Sequence, residues 1–214
     1  YQNNNTTPWG GSGFGGDNSV ETRFSYSTNQ SDLNNHTAWR SKSSSGDFSE
    51  SVSGLEPGTT YYYKAESRNS LGVVVSGEIM EFTTNVANPA IDTLSATNID
   101  ASSGEIRGDL TDLGGENTDV RFSWGTSSTN LSNTTGWTTQ STTTTFSETL
   151  TGLDPNRDYY FQAEATNSAG TVTGTVNSFT TEIDKPEGQT NPATNIGTGQ
   201  ADFQGAVNYL GGAP

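Results

Sequence analysis

The sequence predicts an all-β protein in which small antiparallel β-sandwiches follow one another along the chain. The stretch GLEPGTTYYYKAESRNSLG, residues 54–72, returns as GLDPNRDYYFQAEATNSAG, residues 152–170, with ten of nineteen positions identical. In both copies polar and apolar side chains alternate after the Pro, as they do in a strand with one buried and one solvated face. A repeat of this kind indicates two modules of the same type.

The repeat extends over most of the chain. Aromatic and leucine positions from Phe24 onward recur 98 residues later, and the offset falls to 97 at the Phe-Thr-Thr triplets of residues 82–84 and 179–181. Leu, Ile, Val and Phe together are only 35 of 214 residues, a fraction typical of disordered segments. A disordered segment has no reason to repeat aromatics at fixed spacing, so we predict folded modules with thin cores.

Three modules follow from this register. The first covers residues 1–84, the second and complete one covers residues 91–181, and a third begins at residue 186, because ATNI at 193–196 repeats ATNI at 96–99. The third has two predicted strands before Pro214. The connecting segments NVANPAIDTLS and EIDKPEGQTNP are predicted to be short, stiff linkers because of their prolines.

At the repeated stretch the chain resembles the fibronectin type III family. The residues that carry the resemblance in the first copy are Leu55, Pro57, Gly58, Thr59, Tyr61, Ala65, Asn69 and Gly72. The resemblance implies immunoglobulin-like, seven-stranded β-sandwiches, with Tyr61 and Tyr159 as tyrosine-corner residues at the start of strand F. In the family's lettering, strand A of the first module is not recognised, the third has only strands A and B, and strand B carries no Trp. Because the family is a scaffold for unrelated activities, the fold does not give the function.

Charge and composition exclude several classes of partner. Nine basic against 24 acidic residues give a net charge of -15, which argues against nucleic acid and anionic membranes. No apolar run approaches the roughly 20 residues of a membrane span. The absence of Cys excludes disulfides and thiolate metal sites. No signal peptide or initiating Met precedes Tyr1, so we expect a processed chain or a piece of a longer one.

Acidic residues are the candidate metal ligands. Those of the second module are Asp100, Glu105, Asp109, Asp112, Glu116 and Asp119. Their spacing lacks the regular pattern of a calcium loop, so a solvated acidic edge is favoured over calcium, and no other cofactor is expected. Strict alternation places Glu50 and Glu148 on the apolar face of their strands, where an unpaired carboxylate is costly. We predict a β-bulge that turns each outward, as a property of the fold rather than of acid-base chemistry.

Further candidate residues lie in loops. Trp39 and Trp137 end matching loops and are predicted to pack in the core or at an edge, with stacking on sugars as the alternative. Six N-x-S/T triplets begin at Asn4, Asn5, Asn29, Asn35, Asn130 and Asn133, and the matched Asn35 and Asn133 are where glycan is expected first. His36, the only histidine, is predicted to be solvated surface. Trp9 and Phe14 are expected to cover an open sandwich edge.

These features predict a non-enzymatic extracellular element at a cell surface, in a filament or on a virion, archaeal or viral proteins being the expected source. It would act as a spacer, filament subunit or adhesion element whose partners are other copies, neighbouring domains or glycans. The alternative is a carbohydrate-binding or accessory segment of a secreted enzyme or viral fibre. A nucleophile, a base and an orienting group together were not found, so no catalysis is expected.

The ends of the chain pose a separate question. The first module has no clear strands A and B, whereas residues 193–210 form such a pair with nothing to pack on, and two lone strands are unstable in water. We favour a longer array whose neighbouring residues complete both modules. The alternative is that this segment of one chain inserts into the next and builds a filament.

Overall fold

The computed structural model describes residues 19–211. All regular secondary structure in that range is β-strand. The chain divides into two compact units, unit 1 ending at Asn85 and unit 2 beginning at Val86. Unit 1 contains β1 (Val20–Ser27), β2 (Asn35–His36), β3 (Arg40–Lys42), β4 (Thr60–Arg68), β5 (Val74–Ser76) and β6 (Met80–Thr83). Asn4, Asn5, Trp9 and Phe14 lie outside the described residues. No helix long and apolar enough to span a membrane occurs between residues 19 and 211.

Unit 2 has eleven strands. They are β7 (Ala90–Thr97), β8 (Ser103–Asp112), β9 (Thr118–Gly125), β10 (Asn133–Thr134), β11 (Thr138–Gln140), β12 (Thr144–Thr151), β13 (Asp158–Asn167), β14 (Gly170–Thr173), β15 (Asn177–Thr180), β16 (Glu187–Gly197) and β17 (Gln200–Tyr209). All of their pairings are antiparallel. The prediction of an all-β fold is therefore confirmed.

The sandwich of unit 2 is complete. One sheet has the order β12-β8-β7, and the other is centred on β9 and β13, with β10 and β11 beside β9 and with β14 and β15 beside β13. The core between the sheets contains the fully buried Ile106, Leu110, Phe122 and Phe161. This two-sheet order is that of an immunoglobulin-like sandwich, as the sequence predicts.

Glycine on β8 lets the two sheets approach closely. A Cβ atom at Gly108 would lie 2.7 Å from Cζ of Phe146 and 3.0 Å from Cβ of Ala163. The Phe146 ring therefore lies directly on the glycine, with its centroid 4.8 Å from that of Phe122. A side chain at this position would push the ring out of the core.

Matching tyrosines fix the turn before the long central strand of each unit. The hydroxyl of Tyr159 accepts a hydrogen bond from the N–H of Asp154 at 2.9 Å, and that of Tyr61 accepts one from the N–H of Glu56 at 3.0 Å. The same turn holds a residue with positive φ in each unit, Asn156 or Gly58. Asparagine and glycine both adopt positive φ more readily than a β-branched residue does.

Replacing Tyr159 with Phe removes the acceptor for the Asp154 N–H. We expect a loss of about 1–3 kcal/mol in the free energy of unfolding, because the half-buried N–H is left without its partner. Denaturant unfolding of the full chain measures this loss. Tyr62→Phe, at a half-buried position on the outer side of β4, is the control and should change stability little. An unchanged unfolding midpoint for Tyr159→Phe would contradict a structural role for the hydroxyl.

Unit 1 has only one of the two sheets among its described residues. Its strands β1 and β4 are the centre, with β2 and β3 on one side and β5 and β6 on the other, the same order as in the β9-β13 sheet. Residues 46–53, which match β12, form no strand there. The Phe48 ring nevertheless packs on Phe24 with centroids 4.9 Å apart, as Phe146 packs on Phe122.

The hairpin of β16 and β17 pairs with no other described strand. It begins at Glu187, so the predicted linker EIDKPEGQTNP is wrong in extent, and most of this segment is strand. Pro192 fits inside β16 because the register shifts between Asn191 and Thr194, where the chain leaves the regular hydrogen-bond ladder. Every residue of β17 is exposed.

The bulge predicted at Glu148 is not present. β12 pairs with β8 in continuous register from Thr144 to Thr151, with Glu148 opposite Ile106. Glu148 is exposed although its neighbours on that face, Phe146 and Leu150, pack inward, because β12 is an edge strand and the carboxylate lines a groove at the rim of the sandwich. The bulge prediction is therefore wrong there.

The bulge predicted at Glu50 is also not present, because residues 46–53 do not form a strand. The carboxylate of Glu50 accepts two hydrogen bonds from Arg40, at 2.9 Å from Nε and 2.6 Å from the terminal nitrogen. The bond from Arg40 lowers the pKa of Glu50. The predicted unpaired carboxylate is thus satisfied by an arginine rather than by a turn of the backbone.

Candidate functional site: an open apolar face and an unpartnered hairpin

The inner face of the unit 1 sheet forms an open apolar groove. We call it the open face. It has a volume of about 400 Å³ and is lined by Phe24, Tyr26, Phe48, Ser49, Glu50, Val52, Leu55, Tyr63 and Phe82. Matching residues show what is missing: Phe82 is 42% exposed, whereas its counterpart Phe179 is 6% exposed beneath the second sheet of unit 2. Apolar surface of this kind is seldom left uncovered.

The hairpin repeats the β7-β8 pair in structural detail. Register shifts occur between Leu94 and Thr97 and, 97 residues later, between Asn191 and Thr194. Asn98 and Asn195 both have positive φ, and each amide donates to an acidic side chain, Glu105 at 2.7 Å or Asp202 at 2.6 Å. The hairpin therefore matches the β7-β8 pair in both sequence and structure.

The hairpin presents its core residues to solvent. Ile106 and Leu110 are fully buried in unit 2, whereas their counterparts Phe203 and Val207 are 92% and 66% exposed. Gly205 matches Gly108, but no aromatic ring of the described residues packs on it. Among the described residues, unit 1 thus has only the counterpart of the β9-β13 sheet, and the hairpin only the counterpart of the β7-β8 pair.

The outer face of each main sheet carries an arginine stacked on a tryptophan. The Arg121 guanidinium lies 4.2 Å from the Trp137 ring centroid, and Arg23 and Arg68 lie 4.4 and 4.3 Å from that of Trp39. At these distances the cations are attracted to the ring. The two tryptophans therefore lie outside the core, and each ring is covered in part by arginine.

Glutamates on the central strands hold these arginines in place. Arg23 Nε donates to Glu66 at 2.7 Å, and Arg121 Nε donates to Glu164 at 2.6 Å. Both carboxylates are largely buried by the stacked side chains. The Arg-Glu pairs are visible in the sequence, since both recur 98 residues apart at outward-facing positions, but this spacing does not show that the arginines stack on the tryptophans.

The pKa of Glu66 depends on this arrangement. Burial acts to raise the pKa, but hydrogen bonds outweigh burial and hold the pKa below its ordinary value. The donors are Arg23, Ser25 and Lys64. A lowered pKa means that the ionised carboxylate stabilises the folded state above the ordinary glutamate pKa and that this contribution is lost as the pH falls through the lower, folded-state value.

Replacing Glu66 with Gln should therefore have a pH-dependent effect. At pH 7 we expect a loss of about 1–3 kcal/mol, the usual contribution of hydrogen bonds to charged groups. Below about pH 4 the difference from the parent chain should shrink, because its Glu66 becomes protonated. Denaturant unfolding at both pH values measures this, with the exposed Glu81→Gln as control. The same difference at pH 7 and at pH 3 would contradict the ion pair.

The candidate calcium ligands are engaged with protein groups. Glu105 accepts hydrogen bonds from Thr97, Asn98 and Ser147, and these bonds lower its pKa. Asp112 accepts one from the Gly114 N–H, Glu116 from the Ser168 N–H, and Asp119 from the Thr139 hydroxyl. Within the described range, no three acidic, His or Cys side chains are grouped as a metal ion requires. Asp100 and Asp109 belong to no such group either.

The predicted glycosylation residues that the structure describes are all exposed. They are Asn29, Asn35, Asn130 and Asn133. The threonines of the two matched triplets, Thr37 and Thr135, accept hydrogen bonds from the backbone N–H groups of Phe24 and Phe122, both at 2.9 Å. The structure thus gives these threonines a role in the sheet, which is a reason for the repeat that does not involve a glycan.

Ser25, His36 and Glu66 are close together but do not have the geometry of a catalytic triad. Ser25 Oγ lies 2.8 Å from His36 Nδ1, and Ser25 also hydrogen-bonds to Glu66. In a triad the carboxylate orients the histidine, whereas here it contacts the serine. Ser25 is fully buried as well, so its hydroxyl cannot reach a substrate.

Comparisons with known proteins give structural similarity only. No protein-family model matches the chain, and no curated protein matches it. Solved structures with a similar fold include rat CD45 extracellular domains d3-d4, at 15% identity over 64% of this chain and 72% of that chain, with a TM-score of 0.46.

Two further similar structures have lower TM-scores. The sensor domain of the anti-sigma factor RsgI4 from Pseudobacteroides cellulosolvens is 18% identical over 44% of this chain and 75% of that chain, with a TM-score of 0.38. The FN1-FN3 domains of chicken CNTN1 are 16% identical over 76% of this chain and 56% of that chain, with a TM-score of 0.35. The fold assignment rests on the strand order and core described above.

Proposed function

We propose that this chain is a non-enzymatic, extracellular structural element in which repeated β-sandwich modules act as a spacer or filament subunit. The observation that carries the proposal is that features of one module recur at intervals of 97 or 98 residues. The tyrosine turn and the Arg-Trp-Glu stack occur in both units, and the register shift of β7 recurs in β16. The number of repeated modules determines the distance that the chain spans, which is the property that a spacer requires. Repeating a module adds length without adding a new kind of functional group.

The surface chemistry supports this proposal. The net charge of -15 favours solubility and opposes non-specific aggregation. Most of the acidic side chains that could have formed a site are instead hydrogen-bonded within their own module. These acidic groups therefore stabilise the fold of their own module.

Stretching the full chain in a single-molecule force experiment tests the spacer function. The complete sandwich should unfold in one step, because its two sheets share one core. Residues 90–180 at full extension span about 300 Å, at roughly 3.4 Å per residue, so the contour length should increase by nearly this amount. Gradual extension without a discrete step would contradict a load-bearing spacer.

Carbohydrate binding is the second candidate, favoured by one observation. Trp137 is 41% exposed and lies on the outer face of its sheet, where an aromatic ring can stack on a sugar. However, Arg121 already covers one ring face. A glycan array with the parent chain and Trp137→Ala separates the two proposals. Binding that is lost in Trp137→Ala would support the second candidate, and a silent array would support the first.

A further inference from the structure

We propose that the β16-β17 hairpin of one copy occupies the open face of unit 1 in a second copy and completes its sandwich. The proposal deepens the filament function and rests on it. The two surfaces belong to the same chain, but each exposes the side of the module that the other lacks. Unit 2 shows how they fit, because it contains both halves in one folded sandwich.

The aromatic contacts are already arranged for the hairpin. In unit 2 the Phe146 ring fills the space over Gly108, where a Cβ atom would lie only 2.7 Å away. In unit 1 the matching ring, Phe48, packs on Phe24 in the same way. The matching glycine, Gly205, is on the hairpin, where a Cβ atom would meet only the carbonyl oxygen of Gln189, at 3.3 Å, and no aromatic ring of the described residues.

A second pair of positions fits equally well. In unit 2 the hydroxyl of Thr93 packs against Gly174, where a Cβ atom would lie only 2.4 Å from the hydroxyl oxygen. The same hydroxyl accepts a hydrogen bond from the Ala163 N–H. Unit 1 has a glycine at the matching position, Gly77, with nothing closer than 3.9 Å. The hairpin supplies the matching threonine, Thr190, which is exposed.

A polar contact should also form between the copies. Ser147 donates a hydrogen bond to Glu105 at 2.7 Å across the β12-β8 pair. The counterparts are the exposed Ser49 of unit 1 and Asp202 of the hairpin. Residues 46–53 would then become a strand paired with β17, which gives this segment the partner that β12 has in β8.

One position requires an adjustment. Gly104 packs against Phe179, and a Cβ atom there would lie 2.6 Å from the ring. The hairpin has Ala201 at this position, opposite Phe82 of unit 1. Phe82 is the more exposed of the two rings, so it has room to move aside. Head-to-tail contacts of this type do not close on themselves and lead to open chains of subunits.

Engineered disulfides test the proposal in the full chain, which contains no cysteine. Ser147 lies directly opposite Arg107 in unit 2, so Ser49 should lie opposite Gln204 of a second copy. Chains with Ser49→Cys and with Gln204→Cys are mixed and oxidised. We expect a cross-linked dimer containing one of each chain, since opposed residues are within disulfide range.

The matched control replaces Gln204→Cys by Gln200→Cys, four residues along the same exposed strand. Its counterpart Ser103 lies opposite Thr151, far from Ser147, so cross-linking should be about tenfold weaker. Equal cross-linking of both, or none of either, would overturn the proposal. A Ser49→Cys/Gln204→Cys double variant that cross-links within one chain would also overturn it, because the hairpin would then close on its own unit 1.

Light scattering gives an independent measurement. The molar mass of the parent chain should rise above 22.6 kDa with concentration, whereas that of Phe203→Asp should stay at the monomer value. Asn208→Asp, on the other face of β17, is the control and should associate like the parent. A monomeric parent chain at all concentrations would overturn strand exchange. If the monomeric chain still unfolds in one discrete step under force, the spacer function is retained. Failure of strand exchange can therefore be distinguished from failure of the spacer function.

Discussion

Replacing Phe161 with Ala should lower the free energy of unfolding of unit 2 by about 3–5 kcal/mol, the usual cost of removing a buried aromatic side chain. Phe161 is fully buried and contacts the rings of Phe122 and Phe179, with centroid distances of 6.4 and 6.1 Å. The second sheet covers it, so the cavity left by the ring cannot be filled by water or by a flexible side chain. Denaturant unfolding of the dilute chain measures the loss.

Tyr63 is the matched control, because it occupies the same position in unit 1. It contacts Phe24 and Phe82 at 6.3 and 5.9 Å, but its other side faces the open groove. Tyr63→Ala should therefore cost less, about 1–2 kcal/mol in the dilute chain, as expected for a half-buried side chain. An equal loss of unfolding free energy for Phe161→Ala and Tyr63→Ala would mean that the open face of unit 1 is already covered in the dilute chain.

Replacing Ile106 with Ala should cost about 2–5 kcal/mol, because Ile106 is fully buried on the central strand of the smaller sheet. The matched change Phe203→Ala should cost less than about 0.5 kcal/mol in the dilute chain, as is usual for exposed positions. Thermal unfolding of both variants at low concentration measures the contrast.

The contrast between these two positions should shrink as the chain concentration rises. If Phe203 is buried by a second copy, Phe203→Ala should then lower the unfolding temperature, because association stabilises the folded form by mass action. A cost for Phe203→Ala that is large in the dilute chain would contradict the exposed hairpin. A cost that stays negligible at every concentration would contradict its burial between copies.

Much of the fold could be predicted from the sequence, because alternation reports which side chains share a face. Tyr159, Phe161 and Ala163 are all buried, as the period of two requires. Alternation does not report how far a position lies from the rim of the sheet. This is why alternation alone predicts a bulge at Glu148, although Glu148 reaches solvent at the edge strand β12 without one.

The stacks of Arg on Trp could not be predicted from spacing. Trp39 follows a loop, and its position over Arg23 and Arg68 depends on the path of that loop and on two long side chains. Pro192 shows a similar limit: prolines suggested a linker, whereas a register shift lets this one remain in β16. Side-chain conformations and register shifts depend on contacts between strands that are distant in sequence.

Amide hydrogen exchange tests most directly the claim that unit 1 is half of a sandwich and that the hairpin is the other half. In dilute solution, β9 and β13 should exchange slowly, whereas the matched β1 and β4, as well as β17, should exchange faster. At concentrations where copies associate, β1, β4, β17 and residues 46–53 should become protected together. Equal protection of the two units in the dilute monomer, or no gain in these segments on concentration, would contradict the account.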